Sequence, residues 1–400
     1  IDPGITVSST TGKGMIVGSD AGATSNTQTG YVNKGNVEIT GGTASTIGLS
    51  TSYGEIINEN VVNVDNGLGL YGVNGSKILN DSAGTITITG NGTGMAAFTS
   101  ATQLQDYGTD AKIKAGTLGN NEKTLELENK GTITINGNGG IGMYGELRTL
   151  PGAHSSIEVG KTGTSHGSIR NAGKIVLAGD NSVGVVSKVS APAGAASALD
   201  FGGPEISLNG TGSSDIVTGK EGIGVYADNT KITFETDYGV EVKDGGTGIF
   251  VKNDGSTLSS ASNTFELKYS GTAAGTGVGL FYEGGTGANI INGTNVNLVD
   301  TVGTTEGLVG VYTAGGGKLT NNGKITGDKG YGIISNGAEV ENTSDITFTN
   351  PVTASKPSVG IFTQAGDKIT NTGTITVGTN SVGIFGKEVL QKGTITVGNG

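Results

Sequence analysis

The sequence predicts an all-β chain wound as a right-handed parallel β-helix, three strands to a coil, with loop insertions. Three observations predict it. Gly accounts for 76 of 400 residues while aromatics make up only 5%, against a usual Gly share of about 7%. Short runs alternating apolar residues with Thr recur along the chain, and period-two alternation marks half-buried strands. The runs return in one order at steps mostly of about 21 to 34 residues, the mark of a solenoid. A globular core of this length would need more large apolar residues, whereas a repeat buries only a thin slice per unit. The right-handed sense follows from the handedness of parallel crossovers.

The unit is cleanest in Asp367–Gly386, DKITNTGTITVGTNSVGIFG. Its three strand runs are Lys368–Asn371, Thr374–Val377 and Val382–Phe385. The first element, a short run ending in Asn, recurs as Ser76–Asn80, Lys318–Asn321 and Glu339–Asn342. Its Asn either stacks on the equivalent Asn one coil away as an amide ladder, or is there because Asn tolerates a left-handed turn. The second element is Asn-x-Gly followed by the alternating run, as in Asn33–Ile39, Asn129–Ile135, Asn171–Leu177 and Asn371–Val377. In the last of these, Ile375 and Val377 should face in and Thr374 and Thr376 out. The Asn and Gly residues are expected to supply the positive-φ turns. The third element is Gly-aliphatic-aromatic: Gly69-Leu70-Tyr71, Gly142-Met143-Tyr144, Gly224-Val225-Tyr226, Gly248-Ile249-Phe250, Gly279-Leu280-Phe281, Gly310-Val311-Tyr312 and Gly360-Ile361-Phe362. Gly94-Met95 is a weaker copy without the aromatic.

If the aliphatic residue faces in, alternation points the aromatic out. Tyr144, Tyr226, Tyr312 and their equivalents would then form a stripe suited to sugar stacking or a partner protein. The other reading bends the strand into a corner and makes the ring core. Spans near 99–128, 147–170 and 187–219 interrupt the pattern, and insertions on a solenoid project from one face and carry binding. Both arginines, Arg148 and Arg170, and both histidines, His154 and His166, fall in 148–170. They form either a recognition loop in which Arg grips carboxylates, or an ordinary insertion whose cations balance an acidic chain.

The net charge of −11, from 35 acidic and 24 basic residues, argues against a nucleic-acid partner. There is no Cys, hence no disulfide framework and no thiolate metal site. No cofactor or metal motif and no catalytic signature is present; Gly210–Asp215 (GTGSSD) is a Ser/Gly turn. Both ends stop in mid-pattern, so residues 1–400 are expected to be a single segment of a longer solenoid.

Repeated NxGxIxV and SVGIF or GIGVY blocks in a Cys-free, Gly/Asn/Thr-rich, acidic chain resemble the passenger domains of large fusobacterial type Va (monomeric) autotransporter adhesins of the arginine-inhibitable kind. The resemblance spans nearly the whole chain through its repeats, and the motif is shared by many passengers. It implies a secreted, monomeric passenger on the cell surface, held to the outer membrane by a C-terminal β-barrel outside this sequence. It also implies adhesion to surface glycans or proteins of host cells or partner bacteria. A structural stalk displaying a distal tip, and a polysaccharide-degrading β-helix enzyme, are the alternatives.

Overall fold

Parallel strands joined by short turns can bury every second side chain only if successive coils close around a shared interior. The computed structural model of the chain is built in this way. It describes all residues except 11, 19–29, 53, 74–75, 101–124, 149–166, 191–202, 229, 253–256, 260–262, 285–288, 365–366 and 399–400. The described residues form strands and turns without a helix, and the fold is a parallel β-helix. Each coil gives one strand to each of three parallel sheets, here called A, B and C in chain order. The described residues divide into two compact units, residues 1–207 with 228–230, and residues 208–227 with 231–400.

In the first unit, sheet B runs through Lys13–Gly18, Ile47–Ser52, Gly67–Val73, Gly92–Ser100, Ile141–Arg148 and Val183–Ser190. In the second it runs through Gly246–Lys252, Gly277–Glu283, Leu308–Ala314, Gly330–Asn336, Val359–Thr363 and Val382–Phe385. The three strands expected in Asp367–Gly386 form with the expected bounds. Ile375 and Val377 are buried while Thr374 and Thr376 face outward. Strands reach into the three interrupted spans. Leu125–Asn129 and Gly167–Asn171 are sheet C strands, and Glu205–Leu208 and Ile216–Val217 lie inside 187–219. Charged residues such as Glu126, Glu128 and Arg170 hid the sheet C alternation, because the outward half of each pair is ionic.

Where a sheet C strand closes on Asn, that Asn does join a ladder. In the first unit Nδ2 of Asn33, Asn58, Asn80 and Asn129 each donates to the next Oδ1, ending on Asn171, at 2.8–2.9 Å. In the second unit the series runs Asn292, Asn321, Asn342, Asn371 and the Gln391 carboxamide, at 2.7–3.0 Å. Nδ2 of Asn171, Asn321 and Asn371 also donates to the carbonyl of the Gly two residues on. None of these Asn residues has positive φ, so the left-handed-turn reading fails for them.

The Gly of Asn-x-Gly also departs from expectation. Gly131, Gly173, Gly323 and Gly373 do not have positive φ. They are Gly because a Cβ would run into the turn backbone of the preceding coil: Gly84 for Gly131, and Ser344 for Gly373. The motif is thus one device, an amide that spans coils and a Gly that lets the coils approach.

Replacing Asn129 by Val removes two axial bonds and strands the buried Nδ2 N–H that Asn80 donates to it. At about 1 kcal/mol per bond plus roughly 1–3 for the orphaned donor, the loss should be about 2–4 kcal/mol. A lowered denaturant midpoint with unchanged slope would register it; an unchanged midpoint would mean the ladder is energetically silent.

Candidate functional site

A sheet B strand turns outward at its aromatic because of the Gly before it. In Gly246–Lys252 the burial order is in, out, in, in, out, in, out. Gly248 and Ile249 are both inward, and Thr247 and Phe250 both outward. Two consecutive inward residues need one without a side chain. A Cβ on Gly142 would stand 2.5 Å from the Gly184 carbonyl oxygen, and one on Gly310 2.7 Å from that of Gly332. The aliphatic residues Met143, Val225, Ile249, Leu280 and Val311 are fully buried. The aromatics form the outward stripe and are half-buried, so the corner reading of the ring does not hold.

In the second unit the rings stack along the stripe. Tyr226–Phe250, Phe250–Phe281 and Phe281–Tyr312 have centroids 5.5, 4.8 and 5.0 Å apart, with planes inclined by 11°, 10° and 28°. Ile334 follows Tyr312 in register, then Phe362, stacked on Phe385 at 5.3 Å. In the first unit Tyr71 and Tyr144 flank Ala96, which carries no ring. Phe98, two residues on and on the same face, fills the gap, 5.8 Å from Tyr71 and 5.4 Å from Tyr144. Phe98 is the residue that motif spacing missed. Its signal was parity: a strand prolonged by two residues puts Phe98 on the side of Ala96.

Parallel rings about 5 Å apart are too close to lie side by side, so their faces are turned toward one another. The inner rings of the row therefore present edges to solvent. Beside them runs a second outward row, Ile223, Thr247 and Val278, half-buried as well. Its continuation in register is Val309, Tyr331, Val359 and Val382, of which Val309 and Val359 are buried while Tyr331 and Val382 are half-buried; Val352, in the loop before Val359, is 3% exposed. That loop is held by Lys356 Nζ donating to Glu306 Oε2 at 2.8 Å. The outer faces of the other sheets are mostly polar. Sheet A shows Thr326, Thr347 and Thr376 in register, and sheet C shows pairs such as Lys318–Glu341.

The other expected site residues do not join the stripe. Arg170 lies on sheet C and donates to Glu128 of the preceding coil at 2.7 Å; both side chains are about a quarter to a third exposed, so the pair is worth about 0–1 kcal/mol. Arg148 closes a sheet B strand in register with Ser100 and Ser190. His154 and His166 lie outside the described residues. Tyr144 donates to Glu146 Oε2 at 3.0 Å, and Ser190 also donates to that carboxylate, which is 5% exposed. Among the described residues no three His, Asp or Glu side chains are grouped as a metal ion would require. The spans 101–124, 149–166 and 191–202 each link a sheet B strand to the following sheet C strand, in three successive coils.

Asp244 stands in the turn before Gly246–Lys252. Its Oδ1 accepts from the Thr272 backbone N–H at 2.6 Å and the Tyr269 hydroxyl at 2.5 Å. The Thr272 N–H first, and then the Tyr269 hydroxyl, hold its carboxyl below the usual carboxylate range, while burial and Asp244 push the Tyr269 hydroxyl well up.

Two measurements follow. Phe281 stacks on both sides, so Phe281→Ala should cost about 2–3 kcal/mol, the two ring contacts supplying roughly 0.5–1.5 each, whereas Phe281→Leu should keep most of the stability. Thermal melts of the two would fail the ridge as a structural element if they coincided with wild type. A lowered carboxyl value contributes stability above the unfolded value of about 3.9, and loses it as pH falls through the folded value. Asp244→Asn should therefore flatten the fall in melting temperature below about pH 4 and leave the neutral-pH slope unchanged. Beyond the geometry there is no further guide, since no protein-family model, no curated protein and no solved structure matches the chain.

Proposed function

We propose that the chain is a binding segment of a bacterial surface adhesin, displayed at the outer membrane, and that the outer face of sheet B is where it meets its partner. One observation carries the reading. Among the described residues, sheet B alone pairs an outward aromatic row with an outward aliphatic row, while sheets A and C are faced mostly with Thr, Asn and charged side chains. An exposed apolar patch rimmed by polar residues is the usual mark of an interaction surface. Ring edges with aliphatic neighbours suit the apolar surface of a protein on a host cell or partner bacterium. Sugar stacking needs open ring faces, which the inner rings do not offer.

The stalk reading has its own support: rings that stack mutually already have a structural use. A binding comparison separates the two. Thr247→Lys and Val278→Lys place a charge beside the rings on outward positions, and Thr376→Lys does the same on sheet A. Binding of the folded segment to whole partner cells and to a glycan array should fall at least tenfold for the sheet B variants and stay unchanged for the sheet A variant. Equal binding by all three would remove sheet B from recognition. A folded wild-type segment that binds nothing would leave the stalk.

A further inference from the structure

The crossing from sheet A to sheet B differs in length between neighbouring coils. Asp328 and Lys329 alone join Ile325–Gly327 to Gly330–Asn336, and residues 378–381 join Thr374–Val377 to Val382–Phe385. In the coil between, residues 349–358 join Ile346–Phe348 to Val359–Thr363. This longer span is pinned at both ends. Asn350 donates from its backbone N–H to the Asp328 carbonyl at 2.8 Å and from Nδ2 to Asp328 Oδ1 at 2.6 Å. The buried Ser358 hydroxyl donates to the Asn350 carbonyl and accepts from the Gly330 N–H.

The middle of the span is held by less. Thr353 and Lys356 bond each other through their backbones. The Lys356–Glu306 pair has side chains 35% and 50% exposed, and such a pair contributes little. Val352 is the one apolar plug, and its seat is built into the loop before Leu308–Ala314. A Cβ on Gly307 would stand 2.9 Å from Val352 Cγ2 and 3.0 Å from Tyr331 Cε2. Burial pushes the Tyr331 hydroxyl above its usual range, and Lys356 and Glu306 are close enough to act on it. The buried part of the outward aliphatic row coincides with this span. Val309 and Val359 are buried, whereas Val278 and Val382, to either side in register, are half-buried.

We propose that residues 349–358 are a lid on the outer face of sheet B. Closed, the lid withholds Val309 and Val359 from a partner; open, it lengthens the apolar row that Thr247 and Val278 begin. The proposal rests on the reading of sheet B as the face that meets the partner. A segment with few apolar contacts and solvent-facing backbone bonds opens locally, well below the free energy of global unfolding. Its pinned ends act as hinges, and the fixed φ of Pro351 and Pro357 beside them keeps the moving part stiff. Partner and Val352 compete for one apolar surface, so a partner that prefers the longer row shifts the lid toward open.

Hydrogen exchange of the full chain, read by mass spectrometry on peptides covering 349–358, tests the lid. The Thr353 and Lys356 amides should exchange well ahead of those in Ile346–Phe348 and Val359–Thr363. Lys356→Glu should quicken them about fivefold, the loss of an exposed pair, and leave both strands unchanged. Adding Glu306→Lys to that variant should restore the wild-type rate. Binding to whole partner cells should rise for Lys356→Glu and fall again when Val278→Lys is added. Exchange of Thr353 and Lys356 only together with the flanking strands would mean that no separate lid exists and would overturn the proposal. Faster lid exchange with unchanged binding, while Val278→Lys still abolishes binding, would also overturn it but keep the sheet B reading. Binding indifferent to Val278→Lys would remove that reading and the proposal with it.

Discussion

Every feature of this molecule depends on the short, constant distance between coils. Parallel pairing holds equivalent residues about 4.8 Å apart, so whatever a position carries is stacked on a copy of itself. Amides placed so bond head to tail, rings placed so stack, and a Gly placed so brings its site of substitution against the carbonyl of the next coil. A single spacing thus explains three kinds of residue that look unrelated in the sequence. It also explains why the repeat tolerates much variation in length but little in type: a turn can lengthen into solvent, whereas an inward or ladder position must suit two neighbours at once.

The same spacing makes the faces of the coil unequal. On sheets A and C alternation is plain, one residue in and one out, and most outward positions are Thr, Asn or charged, with aliphatic exceptions such as Ile57 and Leu79 on sheet C. On sheet B the Gly absorbs one inward position, so the strand places two residues outward at a separation of three. The extra turn toward the interior is possible only without a side chain. That geometric step sets an aliphatic row beside the ring row, and the chain covers part of this row itself with the loop around Val352.

Much of the fold was legible because its signals are local and repeated. KITN, TITV and VGIF each mark a strand by alternation and by the Asn or Gly that bounds it, and the last unit is predicted to the residue. The Asn question was not open to sequence reasoning. Ladder and left-handed turn ask for the same residue, and only φ and the Nδ2–Oδ1 distances separate them. The Gly of Asn-x-Gly was assigned the wrong cause for a similar reason: conformational freedom and lack of bulk both select Gly. Leu125–Asn129 and Glu205–Leu208 were hidden inside spans marked by charge or by Ala and Pro, since alternation with Glu looks weaker than alternation with Thr. The site was less legible still. Tyr226 and Tyr312 do share one row, but Arg170 is carried to another sheet and neutralised by Glu128. Proximity in sequence to Arg148 says nothing about which face a strand residue takes.

Phe98 shows what the ring row requires. Where the repeat places Ala96 between Tyr71 and Tyr144, a gap would leave two ring faces open. The chain closes it with a ring from the next outward position on the same strand, at a tilt rather than a stack. Continuity of contact along the row is therefore kept even where the motif fails. In the second unit Ile334 breaks the ring series between Tyr312 and Phe362 without breaking the apolar row. A surface meant to grip flat sugar rings would conserve open faces and could not accept either arrangement. A surface meant to present an apolar ridge accepts both, over Tyr71 to Tyr144 in the first unit and Tyr226 to Phe385 in the second.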